Sequence, residues 1–173
     1  MKSKGEIWVS AVLFISLGVI VISVILAAAI PMINRISDKN TIVKTKEVLI
    51  TIDDAVNTVA NEGPGSQRQL DSLVIDKGEL DIINGTYLVS WSLDTSGEIM
   101  EKGVEITEGD IHEILNSTFV EEVNKVRLWV TSDKVNISLN SKFTSPFKGS
   151  YSVTIKNTGK FINDNPVVEI SVV

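Results

Sequence analysis

The sequence predicts an α+β protein in which one long N-terminal helix precedes an antiparallel, β-sandwich-like head. Three observations lead to this fold class. An uncharged apolar run occupies residues 7–30. An apolar stripe with helical spacing follows it to residue 61. From residue 66 to residue 173, short stretches typical of β-strands are separated by turn-forming residue pairs.

The first element is the apolar run of residues 7–30, whose only polar side chains are Ser10, Ser16 and Ser23. As a helix this run would extend about 36 Å, enough to cross a hydrocarbon core about 30 Å thick. Gly18 and the three serines would permit close approach of a neighbouring helix. The run therefore predicts a segment that inserts into a membrane or packs against other helices.

The second element continues the same helix as an amphipathic segment over residues 32–61. Pro31 lacks an amide proton, so a kink or break is expected beside it. Gly63 suits a helix C-cap and Pro64 cannot continue the helix, which predicts one long helix over 6–62. The residues of the apolar stripe are Ile33, Ile36, Val43, Leu49, Ile52, Val56 and Val59. The charged residues expected mostly off that stripe are Lys39, Lys44, Lys46, Asp53 and Asp54.

The third element is the β-rich head, residues 66–173. Strands are expected at 70–76, 79–83, 86–94, 126–130, 135–139, 149–157 and 166–173. Asn84-Gly85 is a strong hairpin signal, and Lys77-Gly78 is expected to separate two strands. The apolar spacing in 109–125 favours a short helix. Trp91 and Trp129 are expected as core residues on strands, and Trp8 as an anchor at a membrane interface.

Composition excludes several classes of function. The chain has a net charge of −6, which argues against a nucleic-acid partner. It has no cysteine, so disulfides, thiol catalysis and cysteine-based zinc sites are excluded. His112 is the only histidine and is expected on the surface, while the pairs Asp53-Asp54 and Glu121-Glu122 are expected on solvated faces. The loop Asn163–Asn165 matches no EF-hand spacing. With no catalytic triad or phosphate-binding loop, we expect no enzyme activity, no cofactor and no metal site.

Three sequons are candidates for N-glycosylation. They begin at Asn84, Asn116 and Asn136. Their number is close to that expected from the asparagine, serine and threonine content alone. Asn84 also has a separate role as a hairpin residue.

The N-terminus resembles archaeal prepilins and archaellins of the type IV pilin superfamily. The matching residues are Lys2, Lys4 and Gly5, followed by the apolar run that opens with Glu6-Ile7-Trp8. The resemblance implies a basic leader, residues 1–5, which a membrane-embedded prepilin peptidase removes between Gly5 and Glu6. Type IV pilins often carry glutamate at the fifth mature position, where this chain has Ser10.

The resemblance implies a structural subunit that polymerises through its N-terminal helix into an extracellular pilus-like filament. Its implied partners are further copies of itself, the prepilin peptidase, and a membrane assembly platform with a cytoplasmic ATPase. The precursor would lie in the membrane with its C-terminal domain outside the cell. Two alternatives remain open. One is an uncleaved single-pass protein that displays a binding domain. The other is a secreted β-domain released by cleavage after Ala29.

Overall fold

The computed structural model describes residues 4–95, 97–120, 123–140 and 146–172, with side chains from Trp8 onward. One helix, α1, spans Lys4–Glu62. In the part of the chain that the structure describes, eight strands follow it: β1 Gln67–Ile82, β2 Tyr87–Thr95, β3 Glu105–Glu108, β4 Ile111–Ser117, β5 Asn124–Ser132, β6 Asn136–Leu139, β7 Phe147–Ile162 and β8 Asn165–Val172. The predicted α+β fold class is confirmed.

Helix α1 continues through Pro31 without a break. A proline removes only its own amide donor, and the hydrogen bonds of the turns on either side are retained. The expected break is therefore wrong, whereas the expected kink in the helix axis stays a prediction. The helix ends at Glu62, and Gly63 adopts a φ of 92°, the left-handed conformation of a helix C-cap.

The last turn of α1 is tied to the head through its carbonyl groups. Ser66 Oγ donates to the carbonyl oxygens of Val59 and Gly63, both at 2.8 Å. Asn157 Nδ2, on β7, donates to Val59 O at 3.2 Å and lies 3.4 Å from Ala60 O. Helix ends leave such carbonyls without helical partners, so these bonds fix where the helix meets the sheet.

All eight strands belong to one sheet, in the order β3-β4-β5-β2-β1-β7-β8-β6. Neighbouring strands are antiparallel except β6 and β8, which are parallel. The edge strand β6 also approaches the turn between β1 and β2, because Gly85 N donates to Ile137 O at 2.8 Å. The sheet is therefore curled, and the C-terminal half of α1 packs against its inner face.

The pair Lys77-Gly78 forms an irregularity inside β1 rather than a boundary between two strands. The register between β1 and β7 shifts between Ile75 and Leu80. Gly78 has a φ of 78°, and a Cβ at this position would lie 2.5 Å from Ser92 O and 2.6 Å from the Trp91 ring. Only glycine fits this conformation and this close approach.

The expected helix in 109–125 is wrong, because residues 111–117 form β4. Ile111, Glu113 and Leu115 are buried in alternation, which is the period of a strand. The apolar spacing favoured a helix because the polar Glu113 occupies a core-facing position. Its partner, Lys46, comes from α1.

The hydrophobic core lies between the inner face of the sheet and residues 42–60 of α1. Leu49, Ile52, Val56 and Val59 are buried there as the stripe predicts, together with Trp91 of β2. The first part of the stripe differs. Ile33 and Ile36 are more than half exposed because they precede the packed part of α1, which begins at about Thr41. Val43 is also more than half exposed, because it lies next to the buried Ile42 on the side of the helix that faces away from the sheet.

Candidate functional site

The N-terminal part of α1 is the most prominent candidate surface of the protein. Every side chain from Trp8 to Ile36 is exposed except Ala29, which is intermediate. Residues 8–34 extend about 39 Å along the helix axis, so this part projects well beyond the head. The apolar part has a mean hydropathy of 2.9. Within the described residues it belongs to the one helix that is long and apolar enough to cross a membrane.

The exposed part of the helix is apolar around its whole circumference. A surface helix of a soluble protein normally keeps one polar face, which is missing here. Of the polar interruptions, Ser23 donates its hydroxyl to Val19 O at 2.7 Å and so has its hydrogen bond within the helix. A Cβ at Gly18 would have no atom within 4 Å outside the helix's own backbone. This surface can therefore be covered by lipid or by other apolar helices.

A set of polar contacts, which we call the collar, joins the helix to the head at residues 35–46. Lys77 Nζ, on β1, donates to Ser37 Oγ at 2.9 Å and pairs with Asp38 at 3.3 Å. Arg35 packs against Gly97, where its Nε would lie 2.9 Å from an added Cβ. The collar lies where the exposed helix becomes the packed helix.

Lys46 and Glu113 form the most buried ion pair of the collar. The Nζ of Lys46 lies 2.8 Å from Glu108 Oε2 and 2.9 Å from Glu113 Oε2. Burial lowers the pKa of Lys46, but the two carboxylates outweigh it and the pKa is raised overall. The hydrogen bond from Lys46, followed by its charge, lowers the pKa of Glu108. Lys46 was among the charged residues expected mostly off the apolar stripe. It lies on the packed face instead, because it follows the buried Ile42 by four residues.

Asp53 is also buried, which corrects the expectation of a solvated Asp53-Asp54 pair. Tyr87 Oη, on β2, donates to Asp53 Oδ1, and Asn57 Nδ2 donates to Asp53 Oδ2 at 3.0 Å. Burial raises the pKa of Asp53 despite these two donors. Burial and the adjacent carboxylate raise the pKa of Tyr87. Asp54 is exposed as expected, whereas the pair Glu121-Glu122 lies outside the described residues.

The predicted cleavage site lies in the first turn of α1. The helix begins at Lys4, so the peptide bond between Gly5 and Glu6 is helical. Their side chains and residues 1–3 of the predicted leader lie outside what the structure describes. The bond is near the free end of the projecting helix, far from the core.

The three sequon asparagines lie at two places on the head. Asn84, in the β1–β2 turn, accepts from Leu139 N at 3.2 Å. Asn136, on β6, donates its Nδ2 to Ile162 O at 3.0 Å. Asn116 is exposed on β4, which lies towards the opposite edge of the sheet from β6. Since a glycan is attached to Nδ2, the exposed Asn84 and Asn116 are more suitable acceptors than Asn136, whose Nδ2 donates to Ile162 O.

His112 belongs to a small cluster on the outer face of the sheet. Its ring stacks on Trp129, with centroids 5.3 Å apart, and its Nδ1 lies 2.8 Å from Glu105 Oε1. Arg127 lies 5.6 Å from the centroid of the Trp129 ring on the same face. Trp129 is therefore half-buried rather than a core residue, whereas Trp91 is fully buried as expected. Among the described residues, no group of histidine and acidic side chains could hold a metal ion.

Sequence reasoning missed the collar. Its contacting partners lie far apart along the chain, as Lys46 and Glu113 do, so no local motif marks them. The spacing of Lys46 from Ile42 and Leu49 was the available signal, because it places a lysine on the packed stripe.

Comparison of the chain with protein-family models, with curated proteins and with solved structures finds no match.

Proposed function

We propose that the protein is a pilin-like structural subunit whose N-terminal helix first inserts into a membrane and then packs with other copies in an extracellular filament. One observation carries this proposal. A single continuous helix is apolar on all sides over its first half and is built into the head over its second half. The basic leader ending in Gly5 supports it, on the resemblance to prepilins.

The junction between the two halves suits a polymer subunit better than a plain tether. A tether requires only a hydrophobic span and a linker. Here the helix enters the head without a linker, and the collar and the Asn157 contacts hold it there. The direction of the projecting helix is therefore fixed relative to the head, as a regular assembly of identical subunits requires.

Apolar burial would supply the driving force for assembly. The exposed helix leaves large side chains such as Phe14, Leu17 and Ile25 more than half accessible. At about 25 cal/mol per Å² of apolar surface, covering such a helix yields tens of kcal/mol gross, from which association costs are subtracted. A head-to-tail contact that does not close on itself produces a helical filament.

Two other functions make different use of the same helix. An uncleaved single-pass protein would keep residues 1–5 and stay in the bilayer as a monomer. A secreted domain cut after Ala29 would keep the collar but would expose Met32, Ile33 and Ile36 to water. That exposed apolar remnant argues against the secreted form.

The N-terminal residue of the native protein separates these three functions. Glu6 as first residue supports the filament subunit, Met1 supports the uncleaved anchor, and Ile30 supports the secreted domain. A Gly5→Val variant tests the cleavage directly, with Gly18→Val as the matched control within the same helix. We expect Gly5→Val to remain unprocessed and Gly18→Val to be processed, as measured by intact mass. Normal processing and assembly of Gly5→Val would contradict prepilin cleavage.

A further inference from the structure

The loop between β4 and β5 presents two apolar side chains at its tip. Phe119 has its side chain fully exposed, and Val120 is 64% exposed. The loop is closed by its own hydrogen bonds, with Thr118 N donating to Val123 O at 3.2 Å and Thr118 Oγ1 donating to the same oxygen at 2.8 Å. Neither apolar side chain belongs to the core of the head.

The position of this loop along α1 follows from strand β2. At one end of β2, Tyr87 bonds to Asp53 of the helix, and just beyond the other end Gly97 packs against Arg35. Arg35 and Asp53 are about 27 Å apart along the helix, and a strand from 87 to 97 spans about 33 Å at most. Strand β2 therefore runs beside the helix towards its N-terminus.

The β4–β5 loop lies at that same end. Thr95 pairs with Asn124, and Asn124 pairs with Ser117. Phe119 lies two residues past Ser117, as Gly97 lies two residues past Thr95, so Phe119 is about level with Arg35 along the helix. The apolar run ends at Ile30, only about 7 Å from Arg35 along the axis.

We propose that Phe119 and Val120 rest in the lipid interface when α1 is inserted in a bilayer, so that the head contacts the membrane at a second point. The partner is the lipid surface at the junction of headgroups and acyl chains. The headgroup layer on each side of the hydrocarbon core is about 5–7 Å thick, so a bilayer that holds residues 7–30 places its interface at the level of this loop. Apolar side chains such as Phe and Leu on membrane-bound surfaces are buried about 5–10 Å into the boundary between headgroups and acyl chains. This contact rests on the membrane-inserted precursor of the proposed function.

The contact would orient the head before assembly. A helix alone leaves its tilt and its rotation about the axis free, whereas a second contact limits both. Because the collar fixes the helix to the head, the loop at one side of the head would set one preferred tilt. Release of the loop from the lipid would then accompany extraction of the subunit into a filament.

The test uses single-cysteine variants of the full-length chain, which has no native cysteine. Phe119→Cys is labelled with an environment-sensitive fluorophore in zwitterionic phosphatidylcholine vesicles at high dilution of protein in lipid. Phe161→Cys is the matched control, because Phe161 is also exposed but lies in the β7–β8 hairpin, near the end where Asn157 contacts the helix C-terminus. Ile20→Cys reports insertion of the helix itself.

We expect the label at position 119 to shift its emission to the blue and to be quenched by lipids that carry a shallow spin label. The label at 161 should remain in water, and the label at 20 should be quenched by deeper spin labels. If 20 is quenched but 119 behaves like 161, the loop contact is overturned while membrane insertion stands. If 20 is not quenched, insertion fails, and the loop contact and the proposed precursor fail with it.

Two further outcomes would contradict the lipid contact. A shift at position 119 that appears only at high protein density would assign the loop to a second copy of the chain. A glycan found on Asn116 of the native protein would also count against it, because Asn116 directly precedes this loop in its sequon and the glycan would hold the loop away from the bilayer.

Discussion

The two halves of α1 are both rich in apolar residues, yet they have opposite environments. Ile20 and Ile25 in the first half are about 60% exposed, whereas Val56 and Val59 in the second half are fully buried. The first half has apolar side chains on every side, and the second has them on one stripe that faces the sheet. The apolar stripe of the second half is therefore covered by the head. The apolar surface of the first half has to be covered by lipid or by other apolar helices.

The charged residues of the helix follow the same division. No charge lies between Glu6 and Arg35. From Arg35 onward, charged side chains such as Lys46 and Asp53 reach partners on the strands. Charge in the second half serves to position the helix against the head, and its absence from the first half preserves the surface for lipid or for other helices.

The largest expected effect comes from placing one lysine in each half. Val56→Lys buries an unpaired ammonium group at a cost of several kcal/mol, comparable with the 5–15 kcal/mol that holds a domain folded. We expect the head of this variant to be unfolded. Ile20→Lys should leave the thermal unfolding of the head unchanged, as followed by near-ultraviolet circular dichroism of the tryptophans.

Ile20→Lys should instead affect insertion and assembly. A lysine at the centre of a membrane helix costs about 3 kcal/mol. We expect a smaller membrane-bound fraction on flotation and no filaments by electron microscopy. A lower melting temperature of the head in Ile20→Lys would contradict the independence of the two halves.

The next effect concerns the close packing of Gly78 against strand β2 within the head. Gly78→Ala combines an unfavourable backbone conformation with a clash against Ser92 O and Trp91, and we expect a loss of about 3 kcal/mol in the free energy of unfolding. Gly103→Ala is the control, because its φ of 73° is similar but its added Cβ would meet no atom within 4 Å. It should lose only about 1 kcal/mol. Chemical denaturation measures both, and equal losses would show that the close contact at Gly78 contributes nothing.

The collar should account for a smaller effect. Lys46→Met leaves Glu113 buried without its cation, and we expect a loss of about 2 kcal/mol. Lys44→Met is the control, because Lys44 lies 3.7 Å from Asp76 and both side chains are more than half exposed. Its loss should be at most about 0.5 kcal/mol. Similar losses in the two variants would contradict a special role for the buried pair.

The pH dependence of the collar has a defined sign. The folded-state pKa of Lys46 is raised above 10.5, so its stabilisation is complete below pH 10.5 and is lost as pH rises through the folded pKa. At alkaline pH, the difference in stability between wild type and Lys46→Met should therefore shrink as pH rises through that pKa. At acidic pH, it should shrink again as pH falls through the lowered pKa of Glu108. Urea denaturation at a series of pH values measures it.

The smallest expected effect concerns Asp53. Its folded-state pKa is raised above 3.8, so its contribution is complete below pH 3.8 and is lost as pH rises through the folded pKa. Asp53→Asn should remove this decline and flatten the stability profile in the acidic range, because its amide oxygen still accepts from Tyr87. An unchanged profile would show that Asp53 does not titrate there.

Much of the fold could be predicted from local signals. The hairpin at Asn84-Gly85 and the helix end at Gly63 follow from backbone preferences that need no distant partner. The strand β4 could not be predicted, because burial of Glu113 depends on Lys46, which is remote in sequence. The exposed helix surface was foreseen from residues 7–30, whereas the collar and the position of Phe119 were not.

The sequence by itself determined the apolar run, the long helix and the β-rich head, because these depend on periodicity and on residues near one another in the chain. It also indicated the leader that ends at Gly5, which stays a prediction. Only the tertiary structure decided where the helix enters the head, since Ile36 and Val56 are equally apolar and differ only in whether the sheet reaches them. Burial depends on contacts between distant segments, and a pattern along one segment does not contain them.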